Sequence, residues 1–475
     1  MRDGIAFGQL RSGWSKHLFI LIINTKYMRR HTFNKRGAPA RIISALLAIF
    51  LVLGSFPGTV SGESQSGNAA TGAGSTNTSI TSTKNSTALE NNNKAVTENN
   101  SKVKSDTGSN TTLGNTGSGV ITTQAANGVG EIINVINLNY ASQGDLSQGG
   151  VSAGNTGTGA GSDNLAETNL NNLLTVKNVN DSDTVNRIIA FVNSGKNVTE
   201  NNSEHGILLT GNANLGLNFV TLANTNLIGS DIFYANWQNI YGSYSGDINL
   251  SREASQAASP LSEMLVRASN NSTGAGSNNQ AIVNINDETN IINKNKGKIR
   301  NEINADVVSG QNKANKNTGT GSVTTGNVHA AANVLNFLNS NINSSNWIMK
   351  SVNVFGDWRG SIIIPKLGSG QLSTSPYQAI SANSGTGAGS LDETEVNLNE
   401  STVIENSNKA AITNNIRIKT NTGDNKSSYN GSAGVVKFGD AKAETNELNI
   451  ANQNITGNSF WVVVVNNFGQ WKGSV

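Results

Sequence analysis

The chain has 475 residues, no cysteine, 5% aromatic residues and only 14% charged residues, and asparagine occupies about one position in six. The absence of cysteine excludes disulfides, thiolate metal ligands and a cysteine nucleophile, so stability must come from packing and backbone pairing. Nine of the 34 Lys and Arg but one of the 31 Asp and Glu lie in residues 1–62, which leaves the remainder with a net charge of about −5. We therefore expect no nucleic-acid partner.

The N-terminal region has the order of a secretory signal. Basic residues between Arg29 and Arg41 precede the apolar run Ile42–Leu53, and small residues follow it up to Gly62. This order predicts a signal segment over residues 1–62, cleaved after Gly62, with Met28 as the true start. The alternative is an uncleaved membrane anchor, although the apolar run is shorter than the roughly 20 residues that a span needs.

The remaining chain repeats itself. Four copies of Thr-Gly-Ala-Gly-Ser, beginning at Thr71, Thr158, Thr273 and Thr386, are spaced by 87, 115 and 113 residues. A Gly-X-aromatic-X-Gly motif closes all repeats except the first, which is shorter. The pattern predicts tandem modules. The predicted boundaries are a signal at 1–62, a truncated module at 63–140, modules at 157–249, 273–364 and 386–475, and linkers at 250–272 and 365–385.

Local patterns within the repeats predict an all-β fold. Apolar and polar residues alternate in short stretches such as Ala281–Asn286, and Gly and Asn supply turns between them. The mature prolines fall outside the modules, as expected for chains rich in central strands. We favour a β-solenoid over beads of antiparallel β-sandwich, because like-placed asparagines can stack in amide ladders. These asparagines include Asn284, Asn286, Asn290, Asn293 and Asn295.

In composition and repeat pattern the chain resembles the Asn/Gly-rich bacterial surface proteins, namely solenoid adhesins and, more distantly, curlin-type repeats. The Asn-X-Ala spacings at Asn312–Ala314 and Asn408–Ala410 carry the second likeness. Curlin repeats have a much shorter period and regular Gln partners, which this chain lacks. The resemblance implies secretion and assembly at the cell surface.

The aromatic residues of the closing motif are the candidate binding site. Tyr244, Trp358 and Trp471 occupy the same step of Gly-X-aromatic-X-Gly. Tyr241, Phe355 and Phe468 precede them by three residues. Such rings stack on sugars, which predicts a glycan-binding array. The alternative, which we favour, is that both sets cap the end of the solenoid.

The sequence contains few residues that could serve in catalysis. After residue 62 only His205 and His329 remain, each at a different phase of its repeat, and the acidic residues recur at equivalent positions like a solvated face. We predict no catalytic activity, no cofactor and no metal site.

These observations together predict an exported structural or adhesive protein, extracellular or at the cell surface. We expect its partners to be surface macromolecules or glycans, with self-association through exposed strand edges. Contact with the membrane is expected only through the N-terminal segment, if that segment is retained.

Overall fold

The computed structural model describes residues 43–51, 64–141, 150–228, 232–249, 264–363 and 377–474. Within these ranges the chain forms only strands, turns and bends, which confirms the predicted all-β class. Asn, Gly, Thr and Val, which dominate the composition, all disfavour helix. Among the described residues no helix is long and apolar enough to cross a bilayer. The predicted cleavage site after Gly62 and most of both predicted linkers lie outside the described residues.

Four consecutive segments build the sheets. We call them segment 1 (64–141), segment 2 (150–249, described except for 229–231), segment 3 (264–363) and segment 4 (377–474). Each segment lies beside the next one along the chain, and the pairing between segments is parallel throughout. Most paired residues are 87, 115 or 113 positions apart, which are the spacings of the repeated motif. From Ile232 to the end of segment 2 the spacing to segment 3 is 114. Equivalent positions of successive repeats are therefore direct neighbours.

The largest sheet, which we call the long sheet, contains one 31-residue strand from each segment. Its strands are Thr76–Asp106, Asp163–Asn193, Asn278–Val308 and Leu391–Asn421, in segment order. Buried and more exposed residues alternate along the two central strands, because successive side chains point to opposite faces of a sheet. The two outer strands have only one neighbour each within the described chain.

A second sheet, the return sheet, packs against the long sheet. Its strands are Ala126–Ala141, Ala213–Ile228, Ile232–Tyr241, Val328–Val354, Ala441–Ala451 and Asn454–Asn467. Apolar side chains of the two sheets interlock, with Ile188 and Ile303 of the long sheet in one cluster with Leu217, Phe219 and Val334. This contact forms the main core.

The strand Ile43–Leu51 also joins the return sheet, as its one antiparallel member among the described residues. It pairs with Ile232–Tyr241 over nine residues, with Ile43 opposite Tyr241. The described part of segment 1 ends at Ala141 and supplies no strand at that place. Ile43–Leu51 therefore lies where the other segments would predict a strand of segment 1.

The remaining strands are short and follow the same segment order. One sheet precedes the long strands and contains Ser64–Ala69, Val151–Thr156, Met264–Asn271 and Tyr377–Ser384. Two sheets lie between the long and return strands and contain Thr111–Leu113, Val198–Glu200, Lys313–Asn315 and Lys426–Ser428, then Gly119–Thr122, Gly206–Leu209, Gly321–Thr324 and Gly434–Lys437. The last strands are Tyr244–Ser245, Trp358–Arg359 and Trp471–Lys472, with Ile248–Asn249 and Ile362–Ile363.

Close backbone approach explains the glycines of the Thr-Gly-Ala-Gly-Ser motif. A Cβ atom on Gly159 would lie 2.3 Å from the backbone nitrogen of Ala73 in segment 1. A Cβ atom on Gly274 would lie 2.3 Å from the backbone nitrogen of Ala160, and one on Gly387 would lie 2.3 Å from that of Ala275. The motif is thus a turn in which any side chain at this glycine would collide with the neighbouring backbone.

Asparagine ladders run through the stacked segments, as the sequence predicts for Asn293 and Asn295. In most of them the amide nitrogen of one residue donates to the amide oxygen of its equivalent in the next segment, for example Asn178 to Asn293 at 2.8 Å and Asn180 to Asn295 at 2.9 Å. A few pairs have the opposite direction, such as Asn333 to Asn218. Eight ladders contain an asparagine in all four segments, and each bond in them donates toward the next segment. They begin at Asn68, Asn91, Asn93, Asn99, Asn110, Asn115, Asn137 and Asn139.

One of these ladders also shapes the backbone. Asn137, Asn224, Asn339 and Asn452 all have positive φ, between 50° and 58°. Asparagine tolerates this left-handed conformation better than most residues. Besides its ladder bond, Asn224 donates to the carbonyl of Lys296 on the long sheet at 2.9 Å. The same residue therefore bends the return strand and ties it to the opposite sheet.

A ladder residue in the core should be far more sensitive to substitution than an exposed asparagine. Asn186 is fully buried and bonds to Asn99, Asn134, Asn301 and Thr221. Asn186→Ala leaves several of these groups without a partner, and we expect a loss of about 2–4 kcal/mol in unfolding free energy. Denaturant titration followed by circular dichroism measures it.

The matched control is Asn304→Ala on the neighbouring strand, because Asn304 is exposed. We expect that change to stay within about 0.5 kcal/mol. Equal losses for the two variants would contradict a stabilising role for the ladders.

Candidate functional site

The three aromatic residues predicted as a binding site form one column. Tyr244 pairs with Trp358, and Trp358 with Trp471, on adjacent parallel strands. The rings of Trp358 and Trp471 are stacked, with centroids 5.2 Å apart and planes 11° from parallel. The structure thus brings together all three residues that the sequence singled out.

Glycine fixes the indole orientation in this column. The Nε1–H of Trp358 donates to the carbonyl oxygen of Gly246 at 3.0 Å, and that of Trp471 donates to Gly360 at 2.9 Å. A Cβ atom on Gly360 would lie 2.0 Å from the Gly246 oxygen, and Gly360 has a φ of 153°. The second glycine of Gly-X-aromatic-X-Gly therefore lets the backbone of one segment accept the indole proton of the next.

Exposure differs sharply along the column. The side chain of Trp358 is 1% exposed and packs with Ile240, Val352 and Val354, whereas Trp471 in segment 4 is 41% exposed. Neither face of the Trp358 ring is open to a ligand. Trp471, the last member of the column, is the most exposed, and Tyr244, the first member, is partly buried.

The second aromatic set forms a parallel column inside the fold. Tyr241 stacks on Phe355 at 4.8 Å, and Phe355 on Phe468 at 5.0 Å. Phe355 and Phe468 are buried and pack against Ala331. Burial, with a smaller effect of the Glu131 carboxylate, raises the pKa of Tyr241 far above its ordinary value. Both columns run along the stacking direction, so the expectation that these rings cap an end is wrong.

Glu131 is a site residue that the sequence patterns did not indicate. Asn218 donates to its Oε1 at 3.4 Å, and Asn239 donates to the same oxygen. In segment 3, Asn353 likewise donates to both Asn218 and Asn239, at 3.1 and 2.7 Å. Glu131 therefore closes a double ladder at segment 1, where the partner strand of that ladder is missing among the described residues. Burial raises its pKa, and the two amide bonds partly offset this.

A second set of buried polar side chains joins residues of three segments. Tyr377 donates its hydroxyl proton to Oδ2 of Asp287 at 3.0 Å and accepts a bond from Asn172 at 2.6 Å. Burial raises the pKa of Asp287, the Tyr377 bond lowers it, and the Glu400 charge raises it. No motif signalled this contact, since the three residues belong to segments 4, 3 and 2. Asp287 and Asn172 are neighbours in the long sheet, whereas Tyr377 lies in the sheet that precedes it.

The other titratable groups do not converge on one place. His329 contacts Glu444 at 2.9 Å, while His205 accepts a bond from the backbone nitrogen of Thr320 at the surface. The described residues include no group of three or more His, Cys, Asp or Glu side chains positioned to hold a metal ion. A groove of about 470 Å³ crosses the long strands and is lined by short side chains and by Lys94, Asp181, Lys296 and Lys409.

Removal of a column ring should test whether the aromatics are structural. For Trp358→Ala we expect a loss of about 3–5 kcal/mol, because a large buried side chain is deleted. For Trp471→Ala we expect only about 1 kcal/mol, from the lost stacking contact. Thermal melts measure both, with Phe438→Ala, an exposed aromatic, as the control. Equal, small effects for both tryptophans would contradict a structural role for the column.

The buried carboxylate of Glu131 gives a pH-dependent prediction. Its folded pKa lies above its unfolded value, so its contribution to stability is present at low pH and is lost as the pH rises through the folded pKa. The loss is about 1.4 kcal/mol for each unit between the two values. Glu131→Gln keeps an accepting oxygen without the charge, so we expect it to melt above the wild type at pH 7 and level with it near pH 4.

The control for Glu131→Gln is Asp424→Asn, which removes an exposed acidic residue in a turn. That variant should show no such change with pH. A difference between Glu131→Gln and the wild type that stays constant from pH 4 to pH 7 would contradict the assignment.

Comparison with known proteins gives no relative from which a function could be transferred. No family model matches the chain, and no curated protein and no solved structure is significantly similar to it.

Proposed function

We propose that this chain is an exported structural or adhesive surface protein folded as a β-solenoid, with one turn per segment and no catalytic activity. The observation that carries the proposal is the in-register pairing of all four segments, with eight asparagine ladders running from the first segment to the last. Such a stack makes a rigid body whose surface repeats along one direction.

The order of the strands supports the solenoid. Apart from the last strands, which the described part of segment 1 lacks, each segment visits the same sheets in the same order and then the next segment begins one strand further along. A bead-like array of antiparallel sandwiches would close each sheet within one repeat, whereas here the long sheet takes one strand from every repeat. Rungs that stack in parallel bury a continuous core, so each repeat depends on its neighbours.

The outer face of the long strands supports a contact role. Its side chains are short polar residues interspersed with lysines and acids, and with occasional exposed apolar residues such as Val96. Like-placed residues recur along the stack at the strand spacing of about 4.8 Å. A regular surface of this kind suits repeated weak contacts with a polymer or another cell surface.

Export rests on the sequence order of Arg29–Arg41 and Ile42–Leu53. The glycan-binding array is the less favoured alternative, because it needs open ring faces. Of the three predicted residues, Trp358 is 1% exposed, Tyr244 is partly buried and Trp471 is 41% exposed. The indole hydrogen bonds to Gly246 and Gly360 are expected if the column stabilises the fold. A surface that stacks on sugar rings does not require them.

The proposal is tested by locating the full chain in producing cells with an antibody, on intact and on lysed cells. We expect surface or medium localisation and a mature N-terminus at Glu63. Leu46→Arg combined with Leu47→Arg interrupts the apolar run and should keep the chain inside. Leu391→Arg, at an exposed position, serves as the control and should leave export unchanged. Wild-type protein found only inside the cell would overturn the proposal.

A glycan screen separates the two functions. If the column is structural, Trp471→Ala and the control Phe438→Ala should give the same retention on immobilised polysaccharides. Retention that Trp471→Ala alone abolishes, with the fold intact by circular dichroism, would favour the glycan-binding array instead.

A further inference from the structure

We infer that copies of this chain stack end to end, with segment 4 of one copy on segment 1 of the next, and that ionic strength controls this assembly. The inference rests on the proposed structural function and names the partner as a second copy of the same chain. Three features of the two end segments carry it: open backbone edges, the direction of the ladders, and the charges on the long strands.

Both ends of the stack present open strand edges. Thr76–Asp106 and Leu391–Asn421 are the outer strands of the long sheet, and each has one neighbour within the described chain. Their free N–H and C=O groups form a template for a further strand. Both have 31 residues, and they occupy the same place in the repeat. A second copy therefore offers each edge a strand of matching length and pattern.

The ladders make the two ends complementary. In each complete ladder the amide nitrogen donates toward the higher-numbered segment, as in Asn99 to Asn186 and Asn301 to Asn414. The last residue of each ladder therefore has its amide nitrogen at the segment 4 end. In a single copy some of these nitrogens, such as those of Asn414 and Asn425, donate to acceptors within segment 4. Asn99, the first residue, has no earlier segment to donate to its oxygen within the described chain. Donors at one end thus match acceptors at the other, as they do at each contact inside the chain.

Outward charges on the long strands are complementary inside the chain. In the long sheet, opposite charges are neighbours at six places: Glu90 and Lys177, Lys94 and Asp181, Asp181 and Lys296, Asp183 and Lys298, Arg187 and Glu302, and Asp306 and Lys419. Arg187 and Glu302 form an ion pair at 2.8 Å. Like charges are neighbours at two places only, Lys296 with Lys409 and Asp287 with Glu400.

At the junction between two copies, like-charged pairs outnumber oppositely charged pairs. In the register that the chain itself uses, segment 4 would place four like-charged pairs on segment 1 and no opposite pair. These pairs are Glu405 on Glu90, Lys409 on Lys94, Arg417 on Lys102, and Lys419 on Lys104. All eight side chains are exposed. Salt screens exposed charges over about 10 Å at 0.1 M and about 3 Å at 1 M, but leaves backbone hydrogen bonds in place.

These features combine into a salt-dependent contact. At low ionic strength the four pairs repel and keep single copies apart. At high ionic strength this repulsion is screened, so the backbone edges and the ladders of two copies can form hydrogen bonds. Each added copy contributes four strand spacings, so rods should lengthen in steps of about 19 Å.

The test is sedimentation velocity and electron microscopy of the full chain in about 0.02 M and about 1 M sodium chloride, conditions that differ strongly in screening. We expect single particles at low salt and rods of constant width at high salt, with an apparent association constant at least about tenfold higher. Single particles under both conditions would overturn the inference, as would assembly into side-by-side sheets.

A charge exchange at one pair provides the matched variants. Lys102 lies beside Ile189 and Arg417 lies beside Asn304 within the chain, so neither has a charged neighbour there. Lys102→Glu alone and Arg417→Glu alone each turn a like pair at the junction into an opposite pair, and both should assemble at lower salt than the wild type. The double variant restores a like pair and should return to wild-type behaviour.

Equal salt dependence in all four proteins would overturn the charge argument. Localisation is measured separately on cells, so a surface protein that never forms rods would sink this inference and leave the proposed function standing.

Discussion

The structure depends on one constraint: every residue of the paired strands lies beside its own equivalent in the next segment. Few side chains tolerate a copy of themselves as a direct neighbour. The amide of asparagine does so, because it donates at one end and accepts at the other, and eight complete ladders use it. Aromatic rings stack on like rings, as Phe355 does on Phe468 at 5.0 Å. Charges do not, which accounts for a composition with only 14% charged residues.

The repeat spacing predicted much of this arrangement, because the register of the long sheet follows the motif. The ladders were partly predictable. Asn293 and Asn295 lie in buried ladders, and Asn284 and Asn286 pair with equivalents nearer the surface, whereas Asn290 donates to Glu288 on its own strand. Alternation alone could not separate these cases, since inward and outward asparagines look alike in a sequence.

Other features depend on contacts that no local pattern contains. Tyr377 meets Asp287 and Asn172 only because segment 4 lies beside segment 3 and segment 3 beside segment 2. Glu131 is an ordinary acid in the sequence and becomes buried where the first segment is short. The aromatic residues form columns along the stack, which the sequence could not indicate, because their spacing by three residues does not show which neighbour covers a ring. The binding role of Tyr244, Trp358 and Trp471 stays a prediction.

The constant register has a consequence for how such a chain can change its length during evolution. A duplication or deletion of one whole repeat brings together strands that are already equivalent, so every surviving backbone bond and amide ladder finds a partner of the same kind. An insertion of a few residues within the 31-residue strand Asn278–Val308 would shift every paired position that follows it in that strand. Length variation should therefore occur in units of a complete repeat, while smaller changes fall between paired strands, as between Ile228 and Ile232, where the spacing to segment 3 changes from 115 to 114.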